Sequence, residues 1–130
     1  MSAVKIDSFR DLRVWKEAMD AAEAVLEVCD AEPLSRKLRF ASQFEASAIS
    51  VPANIAEGHA GGSTKVYVKH LHIARGSLAE TLTYLELAAR RGYITRPQVT
   101  AIWNKLQHTG LMLNALLSVL KKKLAFKKNP

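Results

Sequence analysis

The residues best placed to do chemistry lie close together: Ser47, Ser50, Asn54 and Glu57, within the stretch SAISVPANIAEG that ends at Gly58. A hydroxyl, an amide and a carboxylate one helical turn apart, joined by Glu80 from elsewhere in the chain, are groups a general acid–base site could use. At a helix contact the same groups serve equally well to satisfy buried donors and acceptors. The chain is therefore read as structural at this stretch, with no catalytic residue and no enzymatic activity expected. The segment GHAGGSTK from Gly58 to Lys65 resembles a phosphate loop only superficially, because its lysine and hydroxyls are in the wrong order and a helix, not a strand, precedes it. His70 and His72 are two apart on a helix and point in different directions, while His59 and His108 have no cysteine or carboxylate at ligand spacing. No metal or cofactor is expected.

The elements that must position these residues are helical. Ser8 and Asp11 have capping-box spacing, so a helix is expected to begin near Phe9 or Arg10 and to bury Leu12, Trp15, Met19, Ala22, Leu26 and Cys29. Asp30 to Pro33 breaks it, and a second helix starts near Ser35 and runs through Gly58. After GHAGG, Ser63 or Thr64 caps a third helix with a core stripe of Leu71, Ala74, Leu78, Leu82, Leu85 and Ala89, closed by Arg90, Arg91 and Gly92. Thr95 and Gln98 form another capping box with Pro97 in the first turn, and the fourth helix presents Val99, Ile102, Leu106, Leu113, Leu116, Leu120 and Leu124. The absence of alternating β patterning makes the chain all-α, an antiparallel up-and-down four-helix bundle. At 130 residues and 48% hydrophobic content it forms one domain, residues 1–130, with a lysine-rich tail at 121–130.

Pro52 should kink the second helix, since it removes the bond to the Ala48 carbonyl at a cost of about 3 kcal/mol. Around it two stripes run side by side. Phe44, Ala48, Val51 and Ile55 are apolar; Gln43, Ser47, Ser50, Asn54 and Glu57 are polar and displaced by one residue, or about 100 degrees. Ser77 and Glu80 repeat the arrangement on the third helix. This implies a second, small-residue contact surface on each helix, serving assembly with further copies, in which Asn54 and Glu57 satisfy donors near the bend.

The formal charge of +7 is unevenly placed. The half up to Ala60 is mildly acidic, whereas beyond it only Glu80 and Glu86 oppose twelve lysines and arginines. A basic chain of this kind suits polyanions. The candidates for contacting nucleic acid are Arg75, Arg90, Arg91, Lys121, Lys122, Lys123, Lys127 and Lys128. The tail equally suits a solubilising helix end that complements the helix dipole. A lone cysteine, Cys29, fits a reducing cytoplasm, and neither an export signal nor a membrane span is read.

The sequence resembles the four-helix-bundle family associated with intervening sequences in bacterial 23S rRNA genes. The resemblance is carried by Phe9, Leu12 and Trp15, by Gln43 with Ser50-Val51-Pro52-Ala53-Asn54-Ile55-Ala56-Glu57-Gly58, and by Ile73-Ala74-Arg75-Gly76-Ser77-Leu78 with Glu80 and Gly92-Tyr93-Ile94. It implies a cytoplasmic bundle assembling as a ring-like homo-oligomer, typically a pentamer. It also implies kinship with accessory proteins that join a reverse transcriptase and nucleic acid in diversity-generating retroelements. Where many relatives carry arginines, this chain has Glu45, Ala46 and Gly61, which removes positive charge near the signature and shifts attention to Arg75, Arg90, Arg91 and the tail. Two functions are then expected in competition. One is a non-enzymatic oligomeric scaffold that binds RNA, DNA or a nucleic-acid enzyme through basic surfaces; the other is a purely structural self-assembling module.

Overall fold

The computed structural model describes residues 8–128, the side chains of 127 and 128 excepted. Its described residues form four α-helices and no strand: α1 Arg13–Asp30, α2 Leu38–Ala60, α3 Thr64–Arg90 and α4 Arg96–Lys128. Each helix has the local chemistry to start or stop where it does. The Ser8–Asp11 capping box forms, but it caps a 3-10 turn, Phe9–Asp11, and α1 begins only at Arg13. Ser63 Oγ accepts from the Val66 amide at the head of α3, and Thr95 and Gln98 cap each other reciprocally before α4. α3 ends where Gly92 takes a φ of 71°, its amide donating to Ala89 and that of Tyr93 to Ala88, a geometry that suits glycine.

Neighbouring helices pack in the cyclic order α1, α2, α3, α4, with α2 against α3 the most extensive contact. Cross-helix bonds pair Ser47 with Thr81, Ser50 with Ser77 and Asn54 with His70, so residues ascending α2 meet residues descending α3 and the two helices run in opposite directions. The core between the four is dominated by Phe44, Ile55, Leu71, Leu85, Leu106, Leu113 and Leu117, all fully buried. Pro52 is buried within α2, which continues through it to Ala60.

The expected stripes are displaced in two helices. In α1 the buried face is Val14, Ala18, Ala21, Ala22, Val25, Val28 and Cys29, whereas Leu12, Trp15 and Leu26 are half-buried and Met19 is 37% exposed. Two apolar stripes overlap on this helix, and the small-residue one faces inward because it lets backbones approach closely. In α4, Leu117 rather than Leu116 is buried, Thr109 joins the core, and Val99 and Leu124 are half-buried. In α3, Thr81 and Ala88 are buried where Leu82 and Ala89 are only partly so.

α4 outruns its neighbours. Arg75 bonds to Asn114, and Leu120 and Lys123 border Ser63, Thr64 and Tyr67, so α4 reaches the first turn of α3 near Lys123. Everything beyond passes that turn, and Phe126 is 82% exposed there.

Candidate functional site

The signature residues of α2 are joined to α3 by a continuous polar seam. Thr81 Oγ1 lies 3.0 Å from Ser47 Oγ, and the Ser47 hydroxyl itself donates to the Phe44 carbonyl at 2.9 Å. Thr81 is also 2.8 Å from the Ser77 carbonyl, so its single proton is shared between two acceptors. Ser50 Oγ is 2.8 Å from Ser77 Oγ. Asn54 donates from Nδ2 to the Ser50 carbonyl at 2.9 Å and reaches the Ser50 hydroxyl at 3.1 Å, while its Oδ1 sits 3.0 Å from His70 Nδ1. Glu57 Oε2 lies 3.5 Å from the same nitrogen. Because an amide oxygen and a carboxylate both face Nδ1, that nitrogen carries the proton.

Gly58 closes the seam. A Cβ there would come within 2.9 Å of His70 Cβ and 3.0 Å of a Tyr67 ring carbon. The glycine lets α3 lie directly on α2 at the level of His70.

The two polar stripes read from the sequence as surfaces for other copies are thus spent largely on each other, inside one chain. The seam unites Ser47, Ser50, Asn54, Glu57 and Ser77. It leaves out Gln43 and Glu80, both exposed. It adds Thr81, which the sequence reading passed over, and His70, weighed there only as a metal ligand; His70 lies seven residues before Ser77 and Thr81 four after it, on the same face of α3, which was the available signal. Asn54 and Glu57 do face a cross-helix donor, His70, whereas the backbone bond of Asn54 goes to the Ser50 carbonyl rather than to the Ala48 carbonyl freed by Pro52. Among the described residues no hydrogen bond joins a seam hydroxyl to His70. No buried side-chain nitrogen or oxygen among them lacks a partner. Cys29, buried and 3.9 Å from the Ala41 carbonyl, has its thiol pushed up to about 12 by burial, with Glu45 and Asp30 adding to it, which makes it a poor nucleophile.

The basic candidates fall in three places: Arg75 near the middle of α3, Lys121 to Lys123 toward the end of α4, and Arg90 and Arg91 at the far end of α3. Arg75 donates to Asn114 of α4 and lies 3.1 Å from His72 Nδ1, which therefore accepts. His72 titrates below its ordinary value, through desolvation first and then the charges of Lys121 and Arg75. Lys121, Lys122 and Lys123 are exposed on the adjoining end of α4, while the side chains of Lys127 and Lys128 lie outside the described residues. Arg90 and Arg91 sit some fifteen residues further along α3, about 22 Å away by helical rise. Arg90 is paired to Glu86 at 3.1 Å and Arg91 acts on Tyr93.

A four-helix all-α protein, with Ser47, Ser50, Asn54, Glu57 and Ser77 joined in a polar seam between α2 and α3, is the class that this geometry defines. The model of the 23S rRNA-intervening sequence protein family matches residues 10–115, and the chain belongs to that family. A solved structure of a protein of unknown function from the S23 ribosomal protein family of Bacteroides thetaiotaomicron is similar to it, at 26% identity and a TM-score of 0.73, covering 80% of this chain and 97% of that one. No curated protein matches the sequence.

Proposed function

We propose that the chain is a non-enzymatic cytoplasmic scaffold that assembles with copies of itself, as a pentamer, and holds RNA or DNA, or a nucleic-acid enzyme such as a reverse transcriptase, through its basic surfaces. The observation that carries this reading is the grouping of Arg75, His72 and Lys121 where α3 meets α4, with Lys122 and Lys123 exposed around the same turn of α4. Lysines beside an arginine make a local positive field, which favours phosphates. Self-assembly draws support from a different surface. Met19 is 37% exposed and Ile49 46%, while an open groove of about 790 Å³ between α1 and α2 is lined by Leu38, Ala41, Ala46 and Ile49 together with Asp30, Arg39 and Glu45. Exposed apolar surface of that kind marks interaction sites. It also favours the second reading, a self-assembling module without nucleic acid.

Salt dependence separates the two. If the five tail lysines each engage a duplex phosphate, the slope of log affinity against log salt approaches about −4.5 per chain, at roughly −0.9 per contact. Replacing Lys121, Lys122, Lys123, Lys127 and Lys128 by Gln should abolish most of that slope while leaving the oligomer mass, read by light scattering, unchanged. Absent or salt-insensitive binding by the wild-type chain would leave the self-assembling module.

A further inference from the structure

At the end of the bundle remote from the tail, a second open groove of about 520 Å³ lies between the start of α2 and the end of α3. Its walls are Leu38, Phe40 and Tyr84, and its rim is Lys37, Arg39 and Gln43. Phe40 packs nearly perpendicular to Tyr84 within the wall and to Tyr93 outside it, each with ring centroids 5.6 Å away. Lys37 Nζ stands 5.2 Å above the Tyr93 ring. The Tyr93 phenol titrates below its ordinary value, chiefly through its hydrogen bond with Arg91 and then the charge of Lys37, against an opposing desolvation. The surroundings are therefore electropositive. No carboxylate lines the groove; Glu80, four residues before Tyr84, is exposed and outside it.

An aromatic corner, with the Phe40 and Tyr84 rings at 89° to each other and cations on its border, has a specific complement. A base offers a π-face to the rings, and the phosphates on either side of it fall to Lys37, Arg39 and Arg91. Gln43, with a donor and an acceptor on one amide, can address a base edge. A duplex keeps its bases stacked and cannot present a face to such a wall, whereas a single strand can. We propose that this groove binds single-stranded RNA or DNA, one unstacked base stacking on the Tyr84 ring and meeting the perpendicular Phe40 ring edge to face. The site rests on the reading that the chain binds nucleic acid and adds to the tail a position about 30 Å away along α3, from Thr64 to Tyr84.

The test is fluorescence anisotropy with a labelled short oligothymidine and a labelled duplex of equal length. Tyr84→Leu keeps apolar volume but removes the ring, and it is expected to weaken oligothymidine binding roughly tenfold while leaving the duplex unaffected. The exposed double variant Lys37→Gln, Arg39→Gln, which needs no repacking, should reduce the single-strand salt slope by about 1.4, at roughly 0.7 per contact. If the wild-type chain binds nucleic acid and both variants bind oligothymidine as it does, the groove is not the site, and the broader function stands. If the wild-type chain binds neither probe, both readings fall together. Arg39 also borders the α1–α2 groove, so the oligomer mass is read on Lys37→Gln alone; a change there would make this face a subunit contact and overturn the proposal.

Discussion

Gly58 and Gly76 both occupy helix interiors, yet Gly→Ala should change stability in opposite directions at the two positions. In an exposed helix the change ordinarily gains up to about 1 kcal/mol, because glycine has more backbone freedom to lose. At Gly76 an added Cβ meets nothing within 4 Å, so the gain is expected in full. At Gly58 it would lie 2.9 Å from His70 Cβ, 3.0 Å from Tyr67 Cδ1 and 3.3 Å from the Tyr67 carbonyl oxygen. A Cβ and a carbonyl cannot swing aside as the end of a long side chain can. Relief requires α3 to shift from α2, which also stretches the bond between Asn54 and His70. Overpacking of this kind costs about 1–3 kcal/mol, which outweighs the propensity gain. The two variants should differ by about 1–3 kcal/mol, or roughly 4–12 °C in melting temperature for a chain of this size. Urea titration followed by far-UV circular dichroism, at one fixed protein concentration because self-association shifts apparent stability, measures the difference. A Gly58→Ala protein as stable as Gly76→Ala would refute the close approach of the two helices.

Two further outcomes follow from the same geometry. Asn54→Leu removes three contacts, but Ser50 keeps Ser77 and His70 keeps Glu57, so the expected loss is about 1–3 kcal/mol rather than the full sum; an unchanged melting temperature would show the seam to be idle. The depressed titration of His72 means that, as pH falls below its ordinary 6.5, the unfolded chain takes up a proton that the folded chain still refuses. Its contribution to stability is thus present above pH 6.5 and is lost as pH falls through the folded value. A polyanion bound at Arg75 and Lys121 should raise the His72 titration followed by NMR, whereas binding that leaves it unmoved would place the polyanion elsewhere.

Much of this architecture is legible in the residues themselves. Cap spacing located the starts of α3 and α4, and Gly92 marked the end of α3, because those signals depend on neighbours a few residues apart. The faces were harder. In α1, Trp15, Met19 and Leu26 look like core since they are large, but the side facing inward is chosen by how closely helices approach, and Val14, Ala18, Ala21 and Val25 permit the closer approach. The polar stripe of α2 was visible from its period, but its destination was not. Ser50 facing Ser77 depends on the register between helices 27 positions apart, which no local pattern encodes. The same limit explains why Phe40, Tyr84 and Tyr93, far apart in sequence, were not recognised as neighbours.

The seam also bears on how the two surfaces could work together. An apolar interface between two helices tolerates sliding, since one methyl group can replace another. A chain of hydroxyls and amides tolerates it far less, because buried donors and acceptors left without partners each cost about 1–3 kcal/mol. Displacing α3 by one turn, about 5.4 Å, would part Thr81 from Ser47, Ser77 from Ser50 and His70 from Asn54 at once. It would also carry Tyr84 away from Phe40 and Arg75 away from Asn114, since all ride on the same rigid helix. Register held at the centre therefore fixes the aromatic groove at one end and the basic face at the other. A variant that loosens the seam without unfolding the chain should weaken both sites together, whereas Tyr84→Leu or the tail lysine substitutions should weaken one each.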